Sequence, residues 1–343
     1  MRFTIPHLIS SIPNIIYYTG YSGFSETERE AFLLITKKRK FIITDSRYSQ
    51  DLKKIKGFEV FEIPAKRFLK NGHSQILKKL RIKQLGIEAN NLTVSEYNSL
   101  RKSVKLVPVD LSRLREIKQT EEIKNIKKAC KIGDMAFEYL VKQIRLGVTE
   151  KELGAKLEMF IKNKNADISF KPIIAFGKNS AIPHHVPNST KLKKNQIVLL
   201  DFGVKINNYC SDMSRTVFFG KAPEEFKKMH QVVLEAQEKA IEFMNGQLFA
   251  RDIDKVARDY IAKLGYPDII HSVGHGIGIE VHESPTLSPD SKDIIKNGMV
   301  FSVEPGIYVP GFGGVRIEDL VLVREGYAQL ISNARREIIE LHA

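Results

Sequence analysis

Four carboxylates and one imidazole that must converge from distant positions limit the folds open to this chain. Asp201, Asp212, His275, Glu304 and Glu318 sit in the strings LLDFG, CSDMSRT, GHGIG, SVEPG and RIEDL, spread over the last 150 residues. An oxygen-rich donor set with one imidazole suits a pair of hard-to-borderline divalent cations. Such a set points to hydrolysis by a metal-activated water.

Strand patterning supports that convergence. IVLLDFG (197–203) reads as a buried strand ending in Gly, and CSDMSRTVFFG (210–220) as its partner, with Lys205 to Asn208 supplying turn chemistry. A turn centred between Ile206 and Asn207 sets Asp201 directly opposite Asp212, with Cβ atoms roughly 5 Å apart. Like charges at that distance repel, and a cation between them removes the repulsion. GMVFSVEPG (298–306) and VRIEDLVLV (315–323) repeat the construction. Centring their turn on Gly311 sets Glu304 opposite Glu318. Two hairpins of opposed carboxylates with one His beside them would form a dinuclear cage, its metals roughly 3.5–4 Å apart.

The 343 residues suffice for two domains, and 43% hydrophobic with 27% charged residues is ordinary for a water-soluble globular chain. The longest apolar runs are too short to span a bilayer, and MRFTIPHLISSIPNII, broken by two prolines, lacks a signal-peptide core. Cys130 and Cys210 do not suggest a disulfide framework, so a cytoplasmic location is expected. Cys210 reads as a small core residue. The net charge of +14 raises the question of nucleic acid, but the lysines are dispersed over helix faces and turns. The dense cluster Lys37 to Lys40 lies between AFLLI and FIIT and reads as a hairpin tip. Neither nucleic acid nor membrane is expected as a partner.

Along the chain, the first ~115 residues read as α/β. IIYYTGY, REAFLLI, KFIITD and FEVFEI read as short strands, SRYSQDLKKI as a helix and LGIEA as a buried strand. TVSEYNSLRKS carries a capping box, Thr93 with Glu96. A boundary near LVPVDLSRLREIKQT divides the chain into 1–116 and 117–343. Helical periodicity follows over 120–144 and 148–165, the latter capped by Thr149 with Glu152 at the third position, and again over 223–245 and 250–264. Gly246 and Gly265 end the last two. The order helix–helix–hairpin, helix–helix–strands predicts two similar halves.

The strings SAIPHH (180–185), LLDFGVKINNYCSDMSRTV, HSVGHGIGIEVHESP (271–285), VFSVEPGIY and GVRIEDLVLV, in that order, resemble the metallo-exopeptidases of "pita-bread" fold. That family includes methionine aminopeptidase, aminopeptidase P and prolidase. NIIYYTGYSG, AFLLIT, FIITDSRYSQDL and LGIEAN resemble the smaller N-terminal domain of aminopeptidase P, prolidase and creatinase, which methionine aminopeptidases generally lack. The resemblance implies an α+β chain: two similar halves around a curved antiparallel sheet, behind a smaller α/β domain with a shortened start. It also implies a homodimer, and peptide substrates with proline at the second position.

By the same resemblance, Asp201 binds one cation, Asp212 and Glu318 bridge two, and His275 and Glu304 complete the second site. Mn²⁺ suits the oxygen-rich set, with Co²⁺ or Zn²⁺ as alternatives. Glu304 would pass a proton to the leaving imide nitrogen. His184 would contact substrate near the scissile bond, ahead of its neighbour His185. His282 would stabilise the tetrahedral intermediate, and His271 would line the proline pocket. Arg316, two before Glu318, shares its strand face and would orient Asp212 or Glu318. Tyr308 would back the cage. Among related activities, Thr286 in HESPTLSP, where some prolidases place Arg, favours aminopeptidase P over a dipeptidase. A non-catalytic relative or a creatinase-type enzyme would have abandoned the carboxylates, and no GxSxG string supports a serine hydrolase.

Overall fold

A computed structural model describes residues 4–25, 27–64, 74–246 and 248–342. The chain divides into two compact units, Met1–Arg113 and Leu114–Ala343. In the first, six strands are ordered Glu59–Glu62, Lys40–Thr44, Ala31–Ile35, His7–Ile9, Gln84–Glu88 and Lys105–Val109. The short strand His7–Ile9 holds a central place, antiparallel to Ala31–Ile35 and parallel to Gln84–Glu88.

IIYYTGY is not a strand. It lies within and just beyond the helix Ile12–Thr19. Its β-branched and aromatic residues favour a strand locally, but Pro13 presets the first turn and Gly20, at φ 71°, ends the helix in the left-handed region. Packing of Ile15 and Ile16 on one face then outweighs propensity. AFLLI, FIIT, EVFE and LGIE form strands and SRYSQDL a helix as expected, whereas LVPV, read as part of the boundary, belongs to a further strand, Lys105–Val109. Thr93 and Glu96 make the reciprocal capping box of Val94–Leu100. Thr36 N–H donates to Arg39 O (2.9 Å) across the turn that carries Lys37 and Lys38.

The second unit repeats one plan. Helices Thr120–Val141 and Glu150–Lys162 accompany a sheet ordered Glu340–Leu341, Met213–Phe219, Gln196–Phe202 and Ile173–Phe176. Helices Glu224–Glu242 and Ala250–Lys263 accompany a second sheet ordered Glu283–Leu287, Gly274–Gly276, Val300–Val303, Asp319–Arg324 and Tyr327–Leu330. A two-stranded ribbon, Gly306–Val309 with Gly313–Arg316, extends it. Each half has its own apolar cluster, one centred on Phe137, Leu157 and Phe202, the other on Phe226, Ile253 and Phe301. Helix pairs packed with antiparallel sheets give the α+β class expected of the chain.

Cys130 and Cys210 are both buried in an apolar cluster with Ile126, Ile277, Val300 and Leu320, and burial pushes the Cys130 thiol up. Among the described residues no helix is long and apolar enough to cross a membrane.

His230, on Glu224–Glu242, is 1% exposed, and its imidazole pKa is pushed down to about 4 by burial and then by Arg215. The unfolded chain binds this proton near pH 6.5, and the folded chain binds it only near 4. Stability contributed by the neutral ring is therefore full above pH 6.5 and falls as pH drops toward 4, at about 1.4 kcal/mol per unit. His230→Gln should flatten that part of the profile, measured as urea unfolding free energy at a series of pH values. An unchanged slope would contradict this assignment.

Candidate metal centre

Ladder register sets the first two carboxylates. Gln196–Phe202 and Met213–Phe219 pair antiparallel with Asp201 opposite Ser214. Asp212 is therefore not directly across from Asp201, as a turn centred between Ile206 and Asn207 would require. It lies two residues along, on the diagonal. Asn207 and Asn208 both take positive φ (49° and 71°), and Ile206 pairs with Tyr209, so the two-residue turn is centred one position later. That displacement moves the register by two residues. A shift of two keeps every side chain on its original face, so both carboxylates still share one face.

The second pair falls as expected. Gly306↔Arg316 and Val303↔Asp319 belong to one continuous register centred on Gly311, which sets Glu304 opposite Glu318. His275 enters from Gly274–Gly276, which pairs with Val300–Val303. Its Nε2 lies 3.3 Å from Glu304 Oε1 and 3.7 Å from Asp212 Oδ2. Its Nδ1 is 3.1 Å from Gly276 O, which leaves Nε2 as the atom facing the carboxylates. Ser302 accepts from the His275 N–H (3.0 Å) and donates to Glu304 Oε1 (3.2 Å).

Donor atoms of Asp212, His275 and Glu318 all lie within 4.8 Å of one another. Asp212 Oδ1 and Glu318 Oε1 are buried with no hydrogen-bond partner. An unpartnered buried carboxylate oxygen is costly. Burial first, then Glu318, Asp201 and Glu304, raise the Asp212 carboxyl well above its usual range. Glu318 is raised by burial and then by Glu304 and Asp201, and Glu304 is pushed up to about 7, chiefly by burial. Orphaned, mutually repelling oxygens of this kind fit a divalent cation, so the residues can hold metal.

Around the carboxylates stands a frame. Arg316, 3% exposed, donates from Nη2 to Asp201 Oδ2, from Nε to Ser214 Oγ (2.8 Å) and from Nη1 to the Tyr308 hydroxyl (2.6 Å). Its direct carboxylate partner is thus Asp201, not Asp212 or Glu318. The Asp201↔Ser214 pairing puts both under the guanidinium. Ser214 relays the contact by donating to Glu318 Oε2 (2.8 Å). Tyr308 also lies 2.9 Å from His271 Nε2. Ser214 shares the face of Asp212 by period-two alternation, a signal that was present in the strand pattern.

Arg215, on the opposite face and 2% exposed, donates to Glu318 O (2.6 Å), Ala334 O (2.8 Å) and Asp319 Oδ1 (2.6 Å). No local pattern announces a tie between residues 104 positions apart.

The histidines separate cleanly. His185 is buried, with Nε2 2.8 Å from Glu150 Oε2. Glu150, fully buried, also accepts from Phe176 N–H (2.9 Å), Asn179 Nδ2 (2.8 Å) and Asn188 N–H (3.0 Å), pinning both ends of the 177–188 loop. His184 on that loop is exposed and bears electrostatically on His271, His282 and Glu304. The His282 ring packs edge-on against His275, centroids 4.3 Å apart. Burial lowers the His271 imidazole to about 4, and desolvation also shifts His275 and the solvent-exposed His282 downward. A neutral imidazole can ligate or donate without adding charge to the site.

The chain is similar to known proteins over nearly its whole length. Residues 124–325 match the metallopeptidase family M24, and residues 7–117 match the creatinase/prolidase N-terminal domain. A protein of Pyrococcus horikoshii named Xaa-Pro dipeptidase is 36% identical, over 97% of this chain and 93% of its own length. A solved structure named Xaa-Pro dipeptidase from Bacillus anthracis superposes with a TM-score of 0.92 at 36% identity, covering 98% of this chain and 95% of that one. A structure named X-Pro aminopeptidase from Thermotoga maritima gives 0.88 at 33% identity, covering 98% and 97%. With a match spanning more than half its length, the chain belongs to metallopeptidase family M24, with the pita-bread fold behind a creatinase-like N-terminal domain.

Proposed function

We propose that this enzyme is a dinuclear-metal Xaa-Pro dipeptidase, a prolidase. The observation that carries the reading is the buried carboxylate set whose Asp212 Oδ1 and Glu318 Oε1 have no partner, in a fold shared with the Bacillus anthracis Xaa-Pro dipeptidase. Relatives from Pyrococcus horikoshii and Pyrococcus furiosus carry the same name, which moves the balance away from aminopeptidase P, the activity favoured from Thr286.

Asp201, Asp212, His275, Glu304 and Glu318 would hold two cations, with Mn²⁺ the proposed metal. When bound, these supply Lewis-acid activation of water and of the scissile carbonyl. The chain's own groups do the rest. Arg316 and Ser214 hold Asp201 and Glu318 in place. Glu304, at hydrogen-bonding distance from Ser302, is placed to carry a proton toward the imide nitrogen of the leaving proline. His282 donates to the developing oxyanion. His184 contacts substrate beside the scissile bond. His271, kept neutral and braced by Tyr308, lines the proline side. A tertiary imide has no N–H, so recognition rests on shape and on these rings.

The test compares kcat/KM on Ala-Pro with that on Ala-Pro-Xaa peptides. A dipeptidase should prefer the dipeptide by about a hundredfold or more, because it must hold the free carboxylate one residue past the cut, which extension removes. Equal or faster cleavage of the longer peptides would restore aminopeptidase P, the reading that Thr286 and the Thermotoga maritima relative favour.

A further inference from the structure

Beside the site, in the same unit, lies a buried cluster of charges that the proposed chemistry does not use. Arg115, Lys118 and Glu283 have side chains 5%, 1% and 1% exposed. Arg115 Nε donates to Glu283 Oε1 (2.8 Å), and Lys118 Nζ donates to Glu283 Oε2 (3.1 Å). Arg115 Nη2 also reaches Glu280, which is half exposed. Two cations and two carboxylates thus balance. Burial would raise the Glu283 carboxyl, but Lys118 and then Arg115 more than offset it and hold the group below its usual range.

Glu283 directly follows His282. At His275/Gly276 the ladder slips: His275 pairs with Thr286, but Gly276 pairs with Glu283. The segment between Gly276 and Glu283 is therefore a closed loop, and His282 sits at its end. The Glu283 carboxylate also accepts from the Glu280 N–H (3.2 Å), inside that loop. A Cβ on Gly278 would stand 2.6 Å from Glu283 Oε2, so the loop folds directly onto this carboxylate. On the other side, the Cys210 N–H donates to Gly278 O (2.7 Å), which ties the loop to the segment bearing Asp212.

A buried ion cluster is poor value as stability alone, because desolvation cancels much of the attraction. It does fix geometry, since a guanidinium fork and an ammonium leave the carboxylate one position. We propose that Glu283, clamped by Arg115 and Lys118, is a positioning residue for His282, holding that ring at its 4.3 Å approach to His275. The inference rests on the reading that His282 acts on the scissile carbonyl, and it adds the device that places the ring.

The test is a double-mutant cycle on Mn²⁺-loaded, full-length enzyme with Ala-Pro as substrate. Lys118→Met is the milder variant, because it leaves the Arg115–Glu283 pair intact. Glu283→Gln, which removes the carboxylate charge that Arg115 and Lys118 share, is the stronger one. Lys118→Met should lower kcat by about tenfold with KM within about twofold, the mark of an interaction made only in the transition state. His282→Asn should lose about a hundredfold or more. The combined Lys118→Met/His282→Asn enzyme should be no slower than His282→Asn alone, because a group acting through His282 has nothing left to act on. Wild-type kcat in Lys118→Met, or losses that multiply in the double variant, would overturn the clamp while leaving the role of His282 standing. Wild-type kcat in His282→Asn would overturn both. A merely structural effect would lower the thermal midpoint of Lys118→Met without this pattern of kcat, and would count against the proposal.

Discussion

Asp212→Asn should cost about a thousandfold or more in kcat on Ala-Pro and, at the same time, raise the unfolding midpoint of the chelated protein. Both effects come from one arrangement. Asp212 and Glu318 are 5% and 1% exposed, each with one oxygen lacking any hydrogen-bond partner. Asp201 and Glu304 add to the negative potential at both. Without cations the cluster opposes folding. Asparagine has nearly the same shape and removes one of the repelling charges, so the chelated variant gains stability. With cations present the same charge is needed to hold them, and the variant loses both turnover and the stabilisation that metal confers. Activity follows from the rate with added metal, and stability from thermal scans with and without chelator. Retained turnover, or a chelated variant less stable than chelated wild type, would count against this centre.

Removing metal from the wild-type enzyme should bring hydrolysis to background and lower the thermal midpoint together. A ligand bound only by the native state stabilises it by about 4 kcal/mol when present at a thousand times its dissociation constant. Here that gain includes relief of the carboxylate repulsion. Adding back Mn²⁺, Co²⁺ and Zn²⁺ one at a time separates affinity from activity. Zn²⁺ and Co²⁺ should restore stability at lower concentration than Mn²⁺, following the general order of divalent affinities. Mn²⁺ should restore the most turnover. Full activity in thoroughly chelated enzyme would sink the mechanism outright.

The site was legible because period-two alternation survives modest errors. Placing the first turn one position early moved the partner of Asp201 from Ser214 to Asp212, yet both lie on one face, so the carboxylates still meet. The second turn, centred on Gly311, needed no change. Capping boxes at Thr93 and Thr149 were legible for the same reason, since donor and acceptor lie three residues apart. IIYYTGY was misread because its composition favours a strand, while Pro13, Gly20 and the packing of Ile15 and Ile16 select a helix.

What the sequence by itself determined is the family and a candidate donor set: four carboxylates and an imidazole, in strings whose order marks that family. That information is local, carried by residue type and by spacings of two to four. Only the tertiary structure decided which partners those groups take. It turned His185 inward to Glu150 and left His184 exposed. It gave Arg316 to Asp201 and Arg215 to Asp319, and it brought Arg115 and Lys118 to Glu283. Each of these ties closes a loop of 35 to 168 residues. No local period encodes such a closure, which exists only when sheets and helices have packed and left a buried charge with one partner within reach.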